Sequence, residues 1–158
     1  MANNLVISGV KMLKASGEVA KANIFISGDK ISEISDEVPA NAKIIDGRGK
    51  FATAGLINAH THASMTLLRS YSDDKALMDW LQKDIWPIEG KMTRKDIYYG
   101  AALAAVEMIK SGTTAFADMY GPCMEEVAKV VAESGLRGSL SQGLISFADG
   151  EKKLAANV

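Results

Sequence analysis

Apolar positions follow two different rhythms along this chain. Up to about residue 50 they come in short runs: Leu5 to Val10, then Ala22 to Ser27 and Lys30 to Ile34 on either side of Gly28-Asp29, then Lys43 to Asp46 ahead of Gly47. Runs of this length predict strands, and a Gly-Asp link predicts a tight hairpin turn. The opening segment is therefore predicted to be a small β unit. From Phe51 onward strand-like and helix-like segments alternate. Leu56 to Ala59 predicts a short buried strand. Thr93, with Asp96 three residues on, predicts a helix start, and Ile97, Ala101, Ala104, Ala105 and Met108 recur at helical spacing until Ser111-Gly112. Thr113 to Ala117 predicts a second strand. Pro122 opens a second helix with Met124, Val127, Val130 and Val131 on one face, Ser134-Gly135 ends it, and Leu136 to Ser141 predicts a third strand.

Strand, helix, strand, helix, strand is the order of a parallel α/β sheet, either doubly wound or closed into a barrel. The long connection from His62 to Lys91 follows the first of these strands directly. Long loops at the carboxyl ends of parallel strands are where such folds build their sites.

Composition narrows the partner. The 158 residues are 47% hydrophobic and 23% charged, ordinary globular values, and the formal net charge of -1 argues against a nucleic acid or a membrane surface. A small neutral or zwitterionic partner stays open. Cys123 is the single cysteine, so no intrachain disulfide forms and a reducing compartment is the simpler reading. The stretch MANNLVISGVKM has neither a basic leader nor a long apolar core, and no apolar run reaches the ~18 residues of a membrane span. A soluble, cytoplasmic protein is expected.

The candidate chemistry lies in GLINAHTHA, Gly55 to Ala63, which holds both histidines of the chain. Side chains alternate along a strand, so His60 and His62 point to one side and Thr61 to the other. Two imidazoles side by side can share a metal; the alternative is a pair hydrogen-bonded to nearby main chain. A zinc site takes about four ligands, commonly three from protein and one open position. Asp118, at the end of the second predicted strand, is available as a ligand or as a loop-flanking polar group. Either the metal reading fails or the remaining ligands lie outside this chain.

GLINAHTH after a small β unit resembles the start of the catalytic barrel in the amidohydrolase superfamily, whose members carry H-x-H at the end of the first barrel strand. The blocks HTHASMTLLR, DWL, WPIE and YYGAALAAVEMIKSGTT, in that order, are similar more narrowly to the methylthioadenosine/S-adenosylhomocysteine deaminases and their chlorohydrolase relatives. The likeness covers nearly the whole chain and only the N-terminal portion of the longer family members. It implies a partial metal-dependent hydrolase (β/α)8 TIM barrel in residues 53–158, about the first three strands, preceded by part of a β-sandwich in residues 1–52. The resemblance also implies that the third metal histidine, the proton-transferring residues and the metal-binding aspartate come later, so that no catalytic residue falls here. By this resemblance His60 and His62 are the first two ligands of a divalent metal, with zinc the metal expected.

By the same resemblance Glu89, in WPIEGK, is the acid that holds the substrate's ribose hydroxyls. A carboxylate suits that task, since it accepts two hydrogen bonds from a vicinal diol. Trp86 is either an apolar wall of the pocket or a loop anchor. Relatives often carry an arginine where this chain has Gln142, and Lys152 and Lys153 are the cations nearby for a carboxylate-bearing substrate tail. The implied activity is hydrolytic deamination of a 5'-thio-substituted adenosine, methylthioadenosine or S-adenosylhomocysteine, by the full-length protein. Alternatives are a guanine-type deaminase, a triazine-type chlorohydrolase and, from another class, a non-catalytic binding module. The partner expected is a small nucleoside, with a homo-oligomer left open.

Overall fold

The hairpin predicted at Gly28-Asp29 forms. In the computed structural model, which describes residues 4–14, 16–37 and 42–143, strands β2 (Val19–Ser27) and β3 (Lys30–Ser35) pair antiparallel across a two-residue turn. Gly28 sits there at φ +63°, a conformation glycine adopts without a Cβ penalty. Strand β1 (Asn4–Leu13) pairs antiparallel with β2 and parallel with β4 (Lys43–Asp46) and β5 (Phe51–Ala52). The register of β1 slips between Ile7 and Val10, where the Oδ1 of buried Asn23 accepts from both Ser8 Oγ and Gly9 N at 2.9 Å. These strands lie within the first of two compact units, Met1–Ala54 and Gly55–Val158.

The second unit contains three parallel strands in the order β6 (Leu56–Thr61), β7 (Thr113–Asp118) and β8 (Arg137–Leu140). Helix α3 (Arg94–Ser111) crosses from β6 to β7, and helix α4 (Met124–Ser134) from β7 to β8. The predicted start of α3 is a full capping box: Thr93 Oγ1 accepts from Asp96 N, and Asp96 Oδ2 accepts from Thr93 N at 2.8 Å. Gly112 and Gly135, both at positive φ, close the two helices. The small residues at helical spacing on α3 (Ala101, Ala104, Ala105) bury with Ile97 and Met108 against Phe116 of β7 and Val127 and Val130 of α4. Gly100 has a further use, because a Cβ there would collide with the main-chain oxygen of Ser64. α3 thus packs directly on the turn that follows His62.

The structure corrects three expectations. The strand at Leu56 to Ala59 exists but is not buried: Leu56 is 58% and Ile57 74% exposed, since β6 pairs on one side only with β7 and no described residue of its unit covers them. The connection from His62 to Lys91 is helical rather than a loop. A 3₁₀ turn (Ala63–Leu68) is followed by α1 (Leu77–Trp80), a π turn (Leu81–Ile85) and α2 (Trp86–Glu89). Pro87, which has no N–H to give, falls just after the π turn, where the regular ladder is interrupted. Ile85 anchors this segment at 1% exposure, and Trp80 Nε1 donates to Ser72 O at 2.9 Å. Finally, α4 begins at Met124 after Cys123 at φ +55°, not at Pro122. Among the described residues no helix is long and apolar enough to cross a membrane. Lys152 and Lys153 lie outside the described residues.

Candidate metal and substrate site

His60 and His62 leave β6 on one side, and their Nε2 atoms stand 3.3 Å apart with the rings edge to face. Two nitrogens bound tetrahedrally to zinc at 2.0–2.1 Å are separated by about 3.3–3.4 Å. That separation matches one edge of such a tetrahedron, and it equally fits an N–H···N hydrogen bond between the two rings. Among the described residues neither ring bonds to main chain, and His62 Nδ1 is buried without a partner. No group of three or more histidine, cysteine or acidic side chains able to hold a metal occurs among the described residues.

Asp118 ends β7 as expected, but its carboxylate is committed elsewhere. It is 1% exposed; Oδ2 accepts from Ala63 N at 2.9 Å and Oδ1 from Tyr120 N at 3.2 Å. One buried acid thus caps the turn that begins immediately after His62 and fixes the chain leaving β7. An amide at this position has one acceptor oxygen for two donors and turns an NH₂ toward the second. Asp118→Asn in the full-length protein is expected to lower stability by about 1–3 kcal/mol. It should also weaken metal retention by about 10- to 100-fold, the usual effect of disturbing groups that orient metal ligands. Denaturant midpoints and metal titration check both; unchanged values would contradict the clamp.

The second strand end adds Tyr120. Its ring packs edge to face on His62 with centroids 5.0 Å apart, its hydroxyl donates to Glu89 Oε2 at 2.7 Å, and Trp86 Nε1 donates to that hydroxyl at 3.1 Å. Burial, and then the hydrogen bond to the Glu89 carboxylate, push the phenol up to about 12. It remains a donor at any physiological pH. Glu89 Oε1 is buried and has no partner among the described residues. Trp86, at the start of α2, ties its indole N–H to the residue that follows β7, and Gln142 Nε2 donates to Gly121 O at 3.4 Å next to Tyr120.

The structure brings His60, His62 and, through Tyr120, Glu89 into one neighbourhood. Tyr120 was not legible as part of it. A signal existed, because Asp118 and Tyr120 repeat at the end of β7 the two-residue spacing of His60 and His62 at the end of β6. A cavity of about 400 Å³ lined by Thr113, Leu136 and Arg137 lies at the opposite, amino-terminal ends of the strands and shares no residue with this cluster.

Parallel strands joined by crossover helices, with H-x-H and a buried acid at their carboxyl ends, are the expected opening of an amidohydrolase barrel, and a profile of the amidohydrolase family matches residues 51–158. The chain belongs to that family. It is 48% identical over 154 residues to a 5-methylthioadenosine/S-adenosylhomocysteine deaminase of Thermoanaerobacter pseudethanolicus, covering 94% of this chain and 35% of that protein. A 5'-deoxyadenosine deaminase of Methanosarcina mazei is 49% identical over 138 residues, 87% of this chain and 32% of its own length. Among solved structures, an adenosine deaminase from Xanthomonas campestris with bound zinc superposes with a TM-score of 0.78 at 28% identity, over 97% of this chain and 38% of that one. The chain thus spans about a third of the length of the curated relatives it matches. The resemblance read from GLINAHTH and the blocks that follow holds, and with it the partial barrel.

Proposed function

We propose that the full-length protein containing this chain is a metal-dependent aminohydrolase that removes the 6-amino group of a 5'-thio-substituted adenosine. The observation that carries this reading is Tyr120, whose ring packs on His62 on one side and whose hydroxyl holds the candidate diol acceptor on the other. A metal edge and a ribose-reading carboxylate separated by one side chain fit a nucleoside substrate bound across both. The names of the relatives, methylthioadenosine/S-adenosylhomocysteine and 5'-deoxyadenosine deaminases, support the same class.

In this reading His60 and His62 hold a divalent metal through Nε2, and zinc is favoured by imidazole donors and by the zinc in the adenosine deaminase neighbour. The metal, when bound, supplies the activation of water that deamination at neutral pH requires. Asp118 keeps the histidine strand end in place. Glu89 accepts the ribose hydroxyls, orients the nucleoside and sets the distance of its ring from the metal edge. The lone Cys123 and near-neutral charge accord with a cytoplasmic setting and a small-molecule partner.

Glu89 separates this reading from a guanine-type or triazine-type hydrolase, whose substrates have no diol. Glu89→Gln in the full-length protein is expected to lower kcat/KM for adenosine ribosides by about 10- to 100-fold, the cost of a charge-assisted hydrogen bond. Turnover of 2',3'-dideoxy analogues should fall far less. Equal losses on both substrates, measured by ammonia release, would mean that Glu89 does not read ribose.

A further inference from the structure

We propose that Tyr120 is a positioning residue that sets the specificity of the site for ribosides by holding Glu89 in its diol-accepting orientation. The inference rests on Glu89 being the diol acceptor and adds the residue that makes it competent. Glu89 is the last residue of the helical run Leu77–Glu89, and the helix backbone alone does not fix the torsions of a long side chain at its end. The constraint comes from across the chain. An indole N–H can only donate and a carboxylate can only accept, so the sequence of bonds runs one way: Trp86 Nε1–H to Tyr120 Oη at 3.1 Å, then Tyr120 O–H to Glu89 Oε2 at 2.7 Å.

That direction has a consequence for the ligand. Tyr120 occupies Oε2 and leaves Oε1, which is buried and without a partner among the described residues. A buried carboxylate oxygen with no donor is costly, and two hydroxyl donors of a bound ribose would satisfy it together with the remaining lone pair of Oε2. Tyr120 is itself tied down, its N–H to Asp118 and its ring against His62. The distance between diol site and metal edge is therefore set through one rigid side chain, and preorganisation of this kind acts on binding.

The test uses the full-length protein and a two-by-two set: wild type, Tyr120→Phe, Glu89→Gln and the double variant, each assayed with an adenosine riboside and its 2',3'-dideoxy analogue. Phenylalanine keeps the ring on His62 and removes only the hydroxyl. Tyr120→Phe should raise KM for the riboside about tenfold with a much smaller change in kcat, affect the dideoxy analogue far less, and add nothing in the Glu89→Gln background. Metal content should stay at the wild-type level. If Glu89→Gln discriminates between the substrates and Tyr120→Phe does not, Glu89 reads ribose but Tyr120 does not position it, and the inference is overturned. If Glu89→Gln hits both substrates equally, the ribose reading fails and takes the inference with it. Trp86→Phe gives an independent check, since it leaves the phenol free to turn: a riboside-selective loss smaller than that of Tyr120→Phe supports the chain of bonds, and an equal loss on both substrates contradicts it.

Discussion

Replacing either His60 or His62 by alanine in the full-length protein is expected to remove most of its bound metal and to lower deamination by more than about a hundredfold. Loss of an outer partner of a metal ligand already costs 10- to 100-fold, and in the proposed reading each of these variants removes a ligand itself. The expectation rests on geometry: the Nε2 atoms are already 3.3 Å apart, the spacing of one tetrahedral edge, so each imidazole contributes to a preset pair. One ring alone gives no edge. The two variants should therefore resemble each other closely, although His60 is exposed and His62 is half-buried. Elemental analysis of both, beside the rate of ammonia release, checks this; full metal content in either variant would contradict the pairing.

The 158-residue polypeptide by itself is expected to be catalytically silent and to associate. Its two histidines leave a metal short of the usual protein ligands, and three parallel strands do not close a barrel. Among the described residues β6 has a neighbour on one side only and exposes Leu56 and Ile57. In the first unit Ile31, Ile44 and Phe51 are also more than half exposed. Unpaired strand edges flanked by apolar side chains recruit other chains. Size-exclusion chromatography should show a broad or aggregated species, equilibrium dialysis no tight zinc retention, and an ammonia assay with methylthioadenosine no turnover. A monodisperse monomer that melts cooperatively and deaminates an adenosine derivative would show that the site is complete without further residues.

Features written in local chemistry were legible from the sequence. The turn at Gly28-Asp29, the Thr93 and Asp96 cap, and the helix ends at Gly112 and Gly135 each depend on residues within four positions of one another. So does the shared side of His60 and His62, which follows from the two-residue period of a strand. Features that depend on distant partners were not. An apolar run such as Leu56-Ile57 reads the same whether or not something covers it. The helical run from Leu77 to Glu89 is interrupted by the π turn Leu81–Ile85, which shifts the 3.6-residue period halfway along, so neither half is long enough for a period to register. Asp118 offered a carboxylate at a strand end, but only the fold reveals that Ala63, 55 residues earlier, takes up one of its oxygens. The bond from Tyr120 to Glu89 spans 31 residues and has no local trace beyond the spacing it shares with Asp118.

The most direct test of the account is the position of the metal in crystals of the full-length protein, located by anomalous scattering at the zinc edge. A single strong peak is expected 2.0–2.1 Å from the Nε2 atoms of both His60 and His62, with Asp118 still bonded to the main chain and not to the ion. A metal bound elsewhere with both imidazoles free, or a fully active protein with no metal near the pair, would contradict it.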